Sequence, residues 1–159
     1  MGKCGDGLTG VILGVVLVFP ACNLLTGLPQ WELALLYTAI AAVAEECFFR
    51  GLIFPALLPK GRFFSALVTS AAFSLLHLLN LSNGQIGYTL LQMGAAFSVG
   101  FALCGVFWRI GKLWPCLLCH LLINLTGHMA TSPLLVGLTI FCIFLYAGFG
   151  VLLLRKNEV

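Results

Sequence analysis

Six stretches of apolar residues, each near the roughly 20 residues that carry a helix across a bilayer, are joined by linkers only a few residues long. This alternation leaves little choice of fold. In lipid every backbone polar group must be satisfied within the chain, so an open sheet or an irregular core is excluded and a helical bundle is expected. The spans read from the sequence are about 8 to 26, 32 to 58, 63 to 81, 88 to 109, 113 to 128 and 134 to 154. Thr26-Gly27-Leu28-Pro29, Pro59-Lys60-Gly61-Arg62, Asn80 to Gly87, Gly111-Lys112 and Thr131-Ser132-Pro133 carry the turns between them. Short connections predict antiparallel neighbours in a single all-α transmembrane domain covering 1–159. Only 8% of the 159 residues are charged, against about 25% in a soluble domain, and mean hydropathy is +1.10.

The net charge of +3 does not point to nucleic acid, because of where the basic residues fall. Lys3, Lys60, Arg62, Arg109, Lys112, Arg155 and Lys156 all lie on one side of a six-span topology, and the other side has none. The positive-inside bias then predicts cytoplasmic termini for a multi-pass membrane protein, with the bacterial cell membrane the expected location. The first span is read as a retained helix and not a cleaved leader, since removing it would spoil this pattern. Seven cysteines (4, 22, 47, 104, 116, 119 and 142) are scattered through apolar segments and read as small hydrophobes. Gly94, Ala95, Ala96, Ser98 and Gly100 stud the fourth span and read as a packing face.

Polar residues inside such spans need partners. Glu45, Glu46 and Arg50 fall within six residues of one span, and each charge costs about 2.5 to 3.5 kcal/mol on insertion scales. Glu46 and Arg50 are four apart, so an ion pair along one helix face is expected. Glu45 is turned about 100° from Glu46 and is left to face a cavity as a candidate general base. The third span places Phe73 and His77 four apart, and the fifth places His120 and Asn124 four apart. A lone histidine on an apolar helix is more often structural. Two of them with an asparagine and a glutamate pair are satisfied most economically by converging on one site. On a rise of about 1.5 Å per residue, Glu45, His77 and Asn124 come out about 17 to 20 Å from the cytoplasmic ends of their spans, and His120 about 10 Å. His128, near the outer end of the fifth span, is left out of the site. Cys116-x-x-Cys119-His120 matches a haem-attachment pattern, but on the wrong side of the membrane. A proton-coupled carrier would also use buried Glu and His, yet no duplicated halves are visible.

Glu-Glu-x-x-x-Arg, Phe-x-x-x-His and His-x-x-x-Asn, in this order on separate spans, resemble the CAAX protease and bacteriocin-processing family of intramembrane endopeptidases, also called the Abi family. The motif residues Glu45, Glu46, Arg50, Phe73, His77, His120 and Asn124 fall in a core at about 40–127. The resemblance implies peptide-bond hydrolysis in a water-filled pocket within the membrane, on a membrane-associated protein or peptide. Glu45 would activate water, His77 and His120 would position it or assist, and Asn124 would polarise the carbonyl and hold the oxyanion. Glu46 and Arg50 would be structural, with Phe73 supporting them. CAAX-type maturation, trimming of peptide precursors and bacteriocin immunity are all implied activities. A non-catalytic scaffold for signalling proteins on the same fold is the alternative. The chain is shorter than familiar members, so part of the substrate surface is expected to be absent or supplied by another subunit. Glu45, His77 and His120 could ligate zinc, and family members have been described with and without metal. The adjacent Glu pair, with Asn as an oxyanion donor, favours the version that uses no cofactor.

Overall fold

The computed structural model describes residues 31–127 and 133–155, so the span expected at 8 to 26, and with it Cys4 and Cys22, lies outside the described residues. The remaining five expected spans are all helical, and no strand occurs among the described residues. Helix α1 (Trp31–Phe48) runs into a π-helical turn (Phe49–Ile53), a short α2 (Phe54–Leu57) and a 3₁₀ turn (Leu58–Lys60). Then come α3 (Arg62–Leu75), a 3₁₀ segment (Leu76–Asn83), α4 (Ile86–Ile110), α5 (Trp114–Gly127) and α6 (Pro133–Leu154). Among the described residues three segments are long and apolar enough to cross a membrane, Arg62–Ser82, Ile86–Ile110 and Val136–Leu154, and Trp114–Asn124 is a shorter apolar helix. The molecule is a helical membrane bundle.

Two departures from regular α-helix shape the site. Pro55 has no N–H to return to the carbonyl of Gly51, and its ring crowds that carbonyl. The turn before it widens, and the N–H of Phe54 reaches back five residues to Phe49 O. The resulting π turn begins three residues after Glu46. The second departure is the 3₁₀ run Leu76–Asn83, long for a form seldom sustained beyond about 4 residues. It ends at Gly84, whose φ of 74° lies in the left-handed region that glycine enters without a Cβ penalty.

Helix α4 is the centre of the bundle. Ser98 through Val106 are all buried, as expected for a helix apolar on every face. Its Val99, Leu103 and Val106 form one core with Cys116, Cys119 and Ile123 of α5 and Cys142, Tyr146 and Leu153 of α6. A second cluster joins Phe101 and Cys104 to Phe54, Ala66 and Leu154. The cysteines at 104, 116, 119 and 142 are thus buried apolar fillers, while Cys47 faces outward. Ile40, Val43, Leu52, Leu67, Ile140, Phe141 and Phe144 are exposed over the outer faces, a surface suited to lipid and not to water.

Among the described residues helices α4 and α6 make the most extensive contact, and two glycines permit it. A Cβ on Gly150 would stand 2.5 Å from Phe101 Cδ1, and one on Gly105 would stand 2.7 Å from Leu153 Cβ. Gly150→Ala is therefore expected to destabilise the bundle by about 1–3 kcal/mol through overpacking. Gly148→Ala, on the same helix with nothing within 4 Å of the added carbon, serves as the control. Unfolding midpoints in mixed micelles measure the difference; equal midpoints would contradict this close approach.

Candidate active site

Helix α1 packs against α5, while α3 and the following 3₁₀ segment pack against α4. These contacts bring together side chains from three separate parts of the sequence. Glu45, His77, His120 and Asn124 all line one cavity of about 360 Å³. Glu46 does not line it. The side chain of Glu45 is 30% exposed toward this space, whereas that of Glu46 is 0% exposed. The 100° between adjacent helical residues has separated the two carboxylates into unlike surroundings.

Glu46 is fixed from two directions. Arg50 Nη1 donates to Glu46 Oε1 at 2.6 Å, and His120 Nδ1 lies 2.8 Å from the same oxygen. Because a carboxylate accepts, this second contact makes Nδ1 the protonated nitrogen. Sequence spacing anticipates the Glu46–Arg50 pair but not the sharing of Glu46 with His120. On its other side, His120 Nε2 is 3.4 Å from Glu45 Oε2. Arg50, Glu46, His120 and Glu45 thus form a line running from the core to the cavity.

Arg50 also donates through Nη2 to Gly100 O at 3.1 Å. A side chain at residue 100 would crowd this contact, since a Cβ there would lie 3.1 Å from Nη2 and 3.2 Å from Phe73 Cδ1. The Phe73 ring ties the elements together. Its centroid is 4.8 Å from Arg50 Cζ, and it meets the rings of His77 and His120 edge-on at 5.5 Å each. Phe49 adds a further edge contact at 5.3 Å. His77 Nδ1 points at Phe73 O, 3.4 Å away; in the tautomer that donates there, Nε2 is left as an acceptor.

The structure corrects one reading and adds to another. Ala95, Ala96 and Ser98, taken from sequence as packing residues, line the cavity; their small size makes room for it. Asn80, Tyr88, Gln92, Thr139 and Tyr146 also line it, and the sequence reasoning passed over all of them. Asn124 apart, it weighed ionisable groups and neglected neutral polar ones, although Gln92 and Tyr88 stand four apart in an apolar span, a spacing that could have marked them.

Among the described residues no three His, Cys, Asp or Glu side chains gather closely enough to hold a metal ion. His120 Nδ1 is held by Glu46 Oε1 at 2.8 Å, and its Nε2 faces Glu45 Oε2 at 3.4 Å.

No curated protein and no solved structure matches the chain. A family model does: residues 27–126, spanning every motif residue and most of the cavity wall, match the model described as type II CAAX prenyl endopeptidase Rce1-like. With well over half of its length in that match, this integral membrane chain belongs to the Rce1-like family of CAAX-type intramembrane endopeptidases.

Proposed function

We propose that the chain is a glutamate-dependent intramembrane endopeptidase that cleaves a membrane-associated protein or peptide, with Glu45 as the base. The observation that carries this reading is the convergence of Glu45, His77, His120 and Asn124 on one cavity from which Glu46 is excluded. Glu45 takes a proton from a water molecule as its oxygen adds to the scissile carbonyl carbon. The N–H of Asn124 donates to the oxygen that becomes negative, the group whose stabilisation contributes most in acyl transfer. The proton held by Glu45 then passes to the departing nitrogen as the C–N bond breaks. His77 Nε2 and His120 Nε2 orient the water and hold the proton near Glu45. Glu46 and Arg50 fix His120 without touching substrate.

The basic residues at linkers on one side favour cytoplasmic termini and six spans, with the bacterial cell membrane as the location. CAAX-type C-termini are the first substrates to examine, given the family; bacteriocin or other peptide precursors are the second. The decisive test compares membrane peptidomes of cells expressing wild type or Glu45→Ala for fragments that depend on Glu45. Full complementation of a deletion by Glu45→Ala would return the protein to a scaffolding role.

A reaction driven by Glu45 alone needs no metal. A chelator that reaches the cavity is expected to leave peptide cleavage unchanged, read as initial rate before and after treatment. Activity lost on chelation and restored by zinc would overturn the metal-free mechanism.

A further inference from the structure

The cavity wall also carries a pair that the mechanism does not use. Asn80 Nδ2 donates to Gln92 Oε1 at 2.8 Å, and both side chains line the cavity. In either orientation of the two amides, this single bond leaves the pair with further N–H donors and at least one carbonyl oxygen able to accept. Tyr88 lines the same wall one helical turn before Gln92. A stabilising bridge between the 3₁₀ segment and α4 would need only the bond already made. The Ser74 hydroxyl, donating to Met93 O at 2.8 Å, already ties the end of α3 to α4 at the residue next to Gln92.

We infer that Asn80 and Gln92 bind the main chain of the substrate, one amide donating to a substrate C=O and the other accepting from a substrate N–H. The inference rests on the endopeptidase reading above. An extended peptide in a membrane cavity brings N–H and C=O groups that lipid cannot satisfy, and fixed polar groups on the wall satisfy them in a set register. The pair offers a donor and an acceptor side by side, as the edge of a β-strand does, and so serves peptides with little regard for their side chains. Position sets the register. His77 and Asn80 are one turn apart on a 3₁₀ helix, which stacks residues i and i+3 with a rise of about 2 Å per residue. Asn80 therefore stands about 6 Å from the level of His77. At about 3.3 Å per extended residue, it meets the peptide roughly two residues from the scissile bond.

The test uses purified protein in proteoliposomes and a fluorogenic farnesylated peptide ending in a CAAX sequence. A series of analogues each has one backbone N–H replaced by an ester oxygen. With wild type, the ester about two residues from the cut is expected to lower kcat/KM about five- to tenfold, through KM, the size expected for one lost hydrogen bond. Gln92→Met or Asn80→Leu should lower kcat/KM for the unmodified peptide by a similar factor, and with the amide that accepts from that N–H removed, the ester should cause no further loss. Both variants remaining as sensitive to the ester as wild type would overturn the inference, whatever their stability. A Glu45→Gln control separates the two levels. Cleavage at the wild-type rate by Glu45→Gln removes the endopeptidase reading itself, while an inert Glu45→Gln with no ester coupling removes only the role of the amide pair.

Discussion

Glu45→Gln lowers kcat for a cleaved peptide at least about a hundredfold while leaving the unfolding midpoint close to that of wild type. The size follows from the role. A general base contributes about 10²- to 10⁴-fold, and glutamine keeps the shape and one hydrogen-bonding oxygen while losing the ability to take a proton. The loss falls on kcat, because the proton moves only as the water attacks and not when substrate binds. Stability is spared because Glu45 faces the cavity at 30% exposure and its contact with His120 Nε2 is long, at 3.4 Å. The measurement is turnover at saturating peptide, beside thermal unfolding of the same preparation. A variant that turns over within a factor of about three of wild type cannot have lost its base, and the mechanism would have to pass to His77 or His120.

The same pair of adjacent carboxylates shows what the sequence made legible. Glu45 and Glu46 differ by one helical step, and that step alone separates a cavity-facing group from a buried one. Helical periodicity also predicted the Glu46–Arg50 contact, because i and i+4 neighbours meet on any α-helix. Helix positions were readable too, since the apolar runs between turn residues mark where helices lie. Helices stand at the expected positions 32 to 58, 63 to 81, 88 to 109, 113 to 128 and 134 to 154 to within a few residues wherever the chain is described.

Contacts between helices were another matter. That His120 reaches across to Glu46 depends on how α1 lies against α5, which no periodicity encodes. The cavity depends on the absence of side-chain bulk at Ala95 and Ala96, and absence of bulk reads equally well as close packing. Local geometry was hidden too. Pro55 announces a disturbed turn, but whether it gives a kink or a π turn is decided by the partner helices. The 3₁₀ run after Leu75 carries no comparable signal, and it is this run that turns Asn80 into the cavity beside His77.

Arg50→Met produces the opposite signature to Glu45→Gln: a loss of about 3–5 kcal/mol in stability, the cost of leaving one member of a buried ion pair behind. Arg50 and Glu46 are both 0% exposed, so water cannot take over from the missing partner. Arg50 serves several groups at once. It holds Glu46 Oε1 and Gly100 O and lies over the Phe73 ring, so its removal loosens α1 from both α3 and α4. The remaining contact from His120 Nδ1 to Glu46 Oε1 offsets part of the loss. It does not restore the rest, because Glu46 Oε2 already has no hydrogen-bond partner among the described residues. Glu46→Gln strands the other charge and is expected to cost a similar amount. Combining Arg50→Met with Glu46→Gln removes both charges, and the double variant should be more stable than the sum of the single losses predicts, by about 0.5–3 kcal/mol. Reversible unfolding of the three variants in mixed micelles gives this coupling directly. Strict additivity would mean that the two side chains act independently, and the division of labour between the adjacent glutamates would then lose its structural half. If instead coupling appears while Glu45→Gln stays folded and inactive, one carboxylate holds the site together and its neighbour works in it.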